Sequence, residues 1–503
     1  MLFRRAATVA LALVLAHSLT NRTAFAAKTS SATPTDALSL NTSGSDKYTK
    51  GDLEGAISDY DKAIALNPKL AKAYYNRGLA KYDQGSYAEA IADYDKAIEI
   101  DPKYEDAYVN RGLAKDSNDD LEGAIADDNI AIKLDPKDPY AYNNRGWAMY
   151  RKGDLDAAIK DYDAAIKLNV NLAQPYNDRG VAEREKGEID QALADYGKAI
   201  QLDPNDDQAY FNRAITLDDK DDLNGALADY DQAIRINPKY TEAYINRGGI
   251  KAEKEDWDGA IADYKQAIEL DPKNATAYNE SGLAWYHKGE NNAALIAYTK
   301  AVEVDPHYAT AFANRGNVRK AQSKLTEALS DYNQALSIDP KCASAFNGRG
   351  VIRQSQGNLV AAKSDYEQAV KNDKRCVEAL GNLSSLYEAQ GDWAKAIELA
   401  TQAITLSPSY AMSYNNRGVA EFHKGDVAAA LADYDRALEL DPNDEHAYNN
   451  RALALQSKGD YEGALADFDL ALQINPQFTT AVHNRAWAKW YEGDVLGAIS
   501  DLW

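Results

Sequence analysis

The stretch AKAYYNRGLAKYDQGSYAEAIADYDKAIEIDPKY, residues 71–104, decides how the whole chain is read. Tyr74, Gly78 and Lys81 fall at i, i+4 and i+7, so they share one face of a helix predicted over about Ala73 to Asp83. Gln84-Gly85-Ser86 breaks that helix. A second one is predicted from about Tyr87 to Ile100, where Asp101-Pro102 stops it. Small residues stand where two helices must approach closely: Gly78 on the first, Ala90 and Ala97 on the second. Large ones, such as Tyr74, Ile91, Tyr94 and Ile98, fill the space around them. A helix pair this short cannot bury its apolar faces alone and needs neighbours to stack on.

The neighbours are in the same chain. Pro102 has counterparts at Pro68, Pro136, Pro204, Pro238, Pro272, Pro306, Pro340, Pro408, Pro442 and Pro476, and every gap is 34 or 68 residues. Val170 and Lys374 hold the two skipped places. From Ala37 onward the register is undisturbed. Thirteen full repeats result, the first of them weak, with a fourteenth ending at Trp503. Place 8 is always Gly, Ala or Ser, as in Gly78, Ala214 and Ser384. Place 20 is Ala throughout, and place 27 is Ala in all thirteen repeats that reach it.

At this point the chain resembles the tetratricopeptide repeat family. Tyr74, Gly78, Ala90, Tyr94, Ala97 and Pro102 occupy that family's signature places, and the resemblance covers residues 37–503. It implies an all-α fold: a right-handed superhelical solenoid of 34-residue helix-turn-helix repeats, with the first helices lining a concave groove. It also implies a non-catalytic protein–protein interaction scaffold that holds a partner protein or peptide in that groove. The alternative is an accessory or assembly subunit of a cell-envelope export or polysaccharide machine.

One place departs from the family. Where the family usually carries leucine, place 7 here is arginine, and it keeps company with place 23 of its own repeat. Arg77 goes with Asp93, Arg111 with Asp127, Arg145 with Asp161, Arg213 with Asp229, Arg247 with Asp263 and Arg417 with Asp433. Eleven repeats carry both residues. Two lack both, with Ser281 and Ala297 in one, Leu383 and Leu399 in the other. Only the first repeat is mixed, with Ser43 and Asp59. Pairing with place 23 of the preceding repeat fails at four junctions. A same-repeat Arg–Asp bond is therefore expected, since the planar guanidinium fork suits a partly buried carboxylate. Common descent of the two exceptional repeats would explain the joint loss as well.

The resemblance also implies which places face a ligand: 2, 5, 6, 9, 12 and 13 of each first helix. In repeat 4 these include Asn143, Asn144, Trp147, Tyr150 and Arg151. In repeat 8 they include Asn279, Tyr286 and His287, and in repeat 12 Asn415, Asn416 and Phe422. Asparagine can bond a peptide backbone in both directions. Trp147, Tyr150 and Phe422 read as exposed aromatics, which need a reason. Repeats 3 and 6 would line the groove with acid, at Asp116, Asp119 and Asp120 and at Asp218, Asp219, Asp221 and Asp222. That could draw a basic peptide or be plain solvated surface. The junction before repeat 11 is irregular: Lys371, Lys374 and Arg375 precede Leu380, Leu383, Leu399 and Ala400. A decayed repeat, a hinge and a second docking site all fit that pattern.

The remaining sequence bounds the function. The formal net charge of −22 does not suit nucleic-acid phosphates; it suits solubility and a basic partner. Residues 1–26 read as a signal peptide: basic Arg4-Arg5, an apolar run from Ala6 to Ala16, and an Ala24-Phe25-Ala26 cleavage site. Residues 27–36 read as a flexible linker. The expectation is an exported protein, periplasmic or secreted, without a membrane span. There is no zinc motif, Walker loop or nucleophile elbow, so neither an enzyme nor a metal or other cofactor is expected. Cys342 and Cys376 hold one place in successive repeats, roughly 8–10 Å apart by helix packing. A disulfide needs Cα atoms within about 7 Å, so two free thiols are expected. Ala498 and Ile499 face a helix that never arrives. The sequence leaves open whether the chain was cut there or docks that apolar end on something, such as a second copy.

Overall fold

The computed structural model describes residues 36–502. The signal peptide, nearly all of the linker and Trp503 lie outside the described residues. Within them, 28 helices follow one another and no strand occurs. The type repeat forms helices at Ala71–Asp83 and Tyr87–Ile100, the first starting two residues earlier than its apolar periodicity suggests. Each turn needs one residue in the left-handed region. Gly85 supplies it at φ +76°, whereas Asp119, Asp221, Glu255 and Ser323 adopt it without being glycine. The next residue often caps the second helix: Asp52, Asp120, Asp154 and Asp222 each accept a backbone N–H three residues on.

The core of a repeat is a tyrosine lying on a glycine. Tyr94 is fully buried, and a Cβ added at Gly78 would stand 2.7 Å from its Cε1. The same arrangement joins Tyr162 to Gly146, Tyr196 to Gly180 and Tyr366 to Gly350. Ala90 and Ala97 are fully buried beside it, which explains why those places admit nothing larger. The chain divides into two compact bodies, Met1–Asp271 and Pro272–Trp503. Within each body, every first helix packs on its own second helix, and each second helix packs on the next first helix.

The place-7 arginines sit in a three-way clamp. Arg77 donates through Nε to Asp93 at 2.9 Å and through Nη1 to Asp61 of the preceding repeat at 2.6 Å. Arg111 does the same with Asp127 and Asp95, Arg247 with Asp263 and Asp231. Arg145 bonds Asp161 and Asn129. Arg417 bonds Asp433 at 2.7 Å. Arg213 has Asp229 without a third partner, because Gly197 stands where the preceding acid would be. The inter-repeat arm uses place 25 of the preceding repeat, two residues beyond the place-23 aspartate. The ring at place 4 completes the clamp, with Tyr74 5.6 Å from the Arg77 guanidinium carbon. In the mixed first repeat, Ser43 and Lys47 satisfy Asp59 instead.

Both cysteines are free. Cys342 is buried, and burial pushes the half-buried Cys376 thiol up to about 11.

Candidate functional site

Place 24, the buried tyrosine of most repeats, is aspartate in repeat 3. Gly112 still faces it, but a Cβ there would meet Asp128 Oδ1 at 3.0 Å rather than a ring. The missing ring leaves a cavity of about 50 Å³. Its walls come from the first helices of three consecutive repeats. Glu105–Ser117 contributes Gly112, Leu113 and Asp116. Pro139–Arg151 contributes Asn143, Asn144 and Trp147. Ala173–Lys186 contributes Gln174 and Asp178. The second helix of repeat 3, Leu121–Leu134, supplies Ala124 and Asp128 at the back.

The electrostatics of this pocket are unusual for a protein interior. Asp128 is 1% exposed, and neither of its carboxylate oxygens has a hydrogen-bond partner. Burial, and then the neighbouring Asp127, push its carboxyl well above the carboxylate range. Asp178 is buried too, but Asn143 Nδ2 donates to it at 3.0 Å and Gln174 Nε2 at 2.9 Å. Burial still raises it to about 7. Asn143 spends its amide on that bond and keeps a buried Oδ1 without a partner. Asp116 is pushed up by burial against the pull of Arg151. Arg151 Nη1 lies 3.2 Å from its Oδ2 but donates to its backbone carbonyl at 2.7 Å. The carboxylates line the cavity separately: among the described residues, no three such side chains come together as a metal-holding group.

The structure redistributes the residues that the sequence assigned to the groove. Tyr150 is not an exposed aromatic: it is 8% exposed, in one cluster with Ala158, Tyr162 and Ala182. Trp147 is half-buried, with its ring stacked 5.3 Å from Tyr150, and Phe422 is half-buried likewise. Arg151 is occupied by repeat 3, reaching Asp119 at 2.8 Å as well as Asp116. The asparagines form a ladder between repeats rather than a free face. Asn76 bonds Asn41, Asn314 bonds Asn279, Asn450 bonds Asn415, and Asn416 donates to the Gly381 carbonyl. A side chain at place 6 sits one rung from place 5 of the previous repeat, so the two satisfy each other. Asn144 is half-buried at the pocket rim. Tyr286 and His287 are exposed, with ring centroids 6.0 Å apart. His423 stacks on Trp393 at 4.4 Å.

The acidic stretches are mostly turn chemistry. Asp119 and Asp221 hold the left-handed turn position, and Asp120 and Asp222 cap the following helices. Sequence reasoning passed over Asp128, Asp178 and Gln174. The signal for Asp128 was present as the break in the column of tyrosines at place 24. The irregular junction at repeat 11 carries a more open cleft, of about 460 Å³, lined by Lys371, Lys374, Leu383, Tyr387 and Lys395 among others. Lys395 is paired there with Glu398 at 2.8 Å.

Family models described as TPR repeat match residues 44–85, 78–115, 182–217, 248–289 and 316–357. Models described as tetratricopeptide repeat match 139–171, 207–240, 352–411, 385–445 and 446–478. Together they cover more than half of the chain. No curated protein sequence matches it. Among solved structures, the chain is similar to one from the crystal structure of the APC/C hetero-tetramer Cut9–Hcn1, with a TM-score of 0.54 and 15% identity. That match covers 90% of this chain and 96% of the other, and at this identity it speaks for the fold alone. A second, YrrB, a TPR protein with an unusual peptide-binding site, aligns at a TM-score of 0.33 and 24% identity over 37% of this chain and 97% of the other.

Proposed function

The chain belongs to the tetratricopeptide repeat family, and from that premise we propose that it holds a partner protein or peptide along its first-helix face. A protein–protein interaction role follows from the family and fold. The placement of the partner rests on one observation: the pocket around Asp128 and Trp147 is walled by three successive first helices and opens between them. A ligand lying across repeats 3 to 5 would cover the half-buried Trp147 and Asn144. The role proposed is that of a scaffold without catalysis of its own. Export through residues 1–26 is part of the same proposal and places the partner in the periplasm or outside the cell.

The test is capture. The purified chain serves as bait in an envelope and a secreted extract of the source organism, at low and moderate salt, with bound proteins identified by mass spectrometry. A saturable partner that is lost on Trp147→Ala is the expected result. Partners indifferent to that change would move the binding surface elsewhere. Export is checked separately, by sequencing the amino terminus of the protein recovered outside the cytoplasm; a terminus at Ala27 is expected, and an intact Met1 would refute the leader.

A further inference from the structure

We infer that the pocket at Asp128 is a subsite for a primary ammonium group, the tip of a lysine side chain carried by the partner. The inference rests on the groove reading above and adds the chemistry of one contact. Five buried acceptors on residues lining the cavity lack a hydrogen-bond partner: both oxygens of Asp128, both of Asp116 and Oδ1 of Asn143. An ammonium brings three donors and no acceptor, which suits a lining whose unsatisfied polar atoms all accept. A guanidinium spreads its five donors over a rigid planar fork, which is bulkier than the tip of a lysine. Size agrees. One water needs about 10–15 Å³ on this measure, so about 50 Å³ admits an ammonium and the methylene next to it. Leu113, Ala124 and Trp147 offer that methylene an apolar wall.

Among the described residues, the arginines nearest the pocket are engaged elsewhere. Arg145 is spent on Asp161 and Asn129. Arg151 is spent on Asp119 and the Asp116 backbone. The charged groups acting on Asp128 are Asp127 from its own helix, Asp116 from the preceding one, and Arg145 and Asp161 from the following repeat. The sum favours a protonated Asp128 in the empty pocket. An entering ammonium would displace that proton to the solvent, leaving an ion pair in its place. Such a site selects for charge: a neutral amine isostere would leave a buried carboxyl and an amide oxygen unsatisfied.

The experiment uses two probes on the purified chain, n-butylammonium chloride and Nα-acetyl-lysine N-methylamide. The readout is 19F NMR of the chain carrying 5-fluorotryptophan, with Trp147→Phe to assign the Trp147 signal. Saturable shifts of that signal are expected with both amines and none with 1-butanol. Asp128→Asn keeps the shape and removes the charge, and should weaken both amines about tenfold or more. The lysine amide should bind more tightly than the plain amine, through its flanking backbone; equal affinity would overturn the partner-borne lysine and leave a free amine as the ligand. No saturable shift, or unchanged affinity in a folded Asp128→Asn chain, would overturn the ammonium site. If that variant does not fold, Asp128→Tyr restores the ring of the other repeats and must abolish amine binding. A captured partner that is lost on Trp147→Ala yet indifferent to Asp128→Asn would remove the ammonium and leave the groove reading standing.

Discussion

Repeats 3 and 11 both lose the buried tyrosine of place 24, and they differ in what closes the gap. In repeat 11 the ring becomes Ala400, and the clamp goes with it: Leu383 and Leu399 replace arginine and aspartate, and Leu380 replaces the ring beneath the guanidinium. Leu380, Leu383, Leu386 and Leu399 pack with Tyr366 of the preceding repeat, all at 4% exposure or less. Ser384, at the glycine place, donates to the Ala396 carbonyl at 2.8 Å. Hydrocarbon fills the space and the polar groups leave together, which is the low-cost way to remove a buried ion pair. Repeat 3 keeps its clamp, with Arg111 on Asp127, and puts an unpartnered carboxylate where the ring was. That is costly. A replacement that costs stability, next to one that shows how cheaply the same hole can be filled, points to a use for the carboxylate.

The contrast can be broken or sharpened by mutation. Because repeat arrays unfold in parts, local hydrogen exchange is the measurement for each case. The largest effect is expected from Arg213→Leu, which strands Asp229 in the clamp that has no third arm. The Arg213 side chain is 28% exposed and that of Asp229 7%, so a loss of about 3–4 kcal/mol is expected in repeat 6. Adding Asp229→Leu, as repeat 11 does at Leu399, should recover most of it; no recovery would show that hydrocarbon is not the general repair. Next is Leu380→Ala, at a fully buried side chain. A loss of about 2–3 kcal/mol in repeat 11 is expected from the cavity left, and a neutral outcome would mean that the leucine cluster is not what holds that repeat.

A smaller change, of opposite sign, is expected from Asp128→Tyr. Restoring the ring over Gly112 should stabilise repeat 3 by about 1–2 kcal/mol, while removing the pocket. Destabilisation instead would show that repeat 3 has adapted to its carboxylate. An effect of similar size is the pH response of Asp178. Its folded value, near 7, lies above the unfolded value of about 3.9. The folded state therefore binds more protons between those values, and stability falls as the pH rises through them. Between pH 5 and 7 the wild-type chain should lose about 2 kcal/mol relative to Asp178→Asn; parallel profiles would remove Asp178 as the cause.

Legibility in the sequence followed the range of the interactions. The helices and turns were readable from one repeat, because capping, periodicity and glycine placement act over a few residues. The Arg–Asp spacing of sixteen residues was readable because two residues that vanish together leave a pattern across repeats. The bond from Arg77 to Asp61 also spans sixteen residues, but it crosses a repeat boundary, and boundaries drawn on the 34-residue period hid it. The asparagines misled for the same reason. Place 6 faces outward on its own helix, yet Asn314 lies within 3.1 Å of Asn279 on the previous one.

What the sequence by itself determined is the repeat: 34 residues, two helices, small residues at the close approaches and an arginine matched to its own aspartate. All of these are local or strictly periodic, and a period is visible without coordinates. The tertiary structure alone decided which side chains remain available. Stacking brings place 5 of one repeat against place 6 of the next, and turns three first helices into the walls of one cavity. Whether Asp128 has a partner depends on what those three helices present to it together, and burial of that kind is a property of the stack, not of the period.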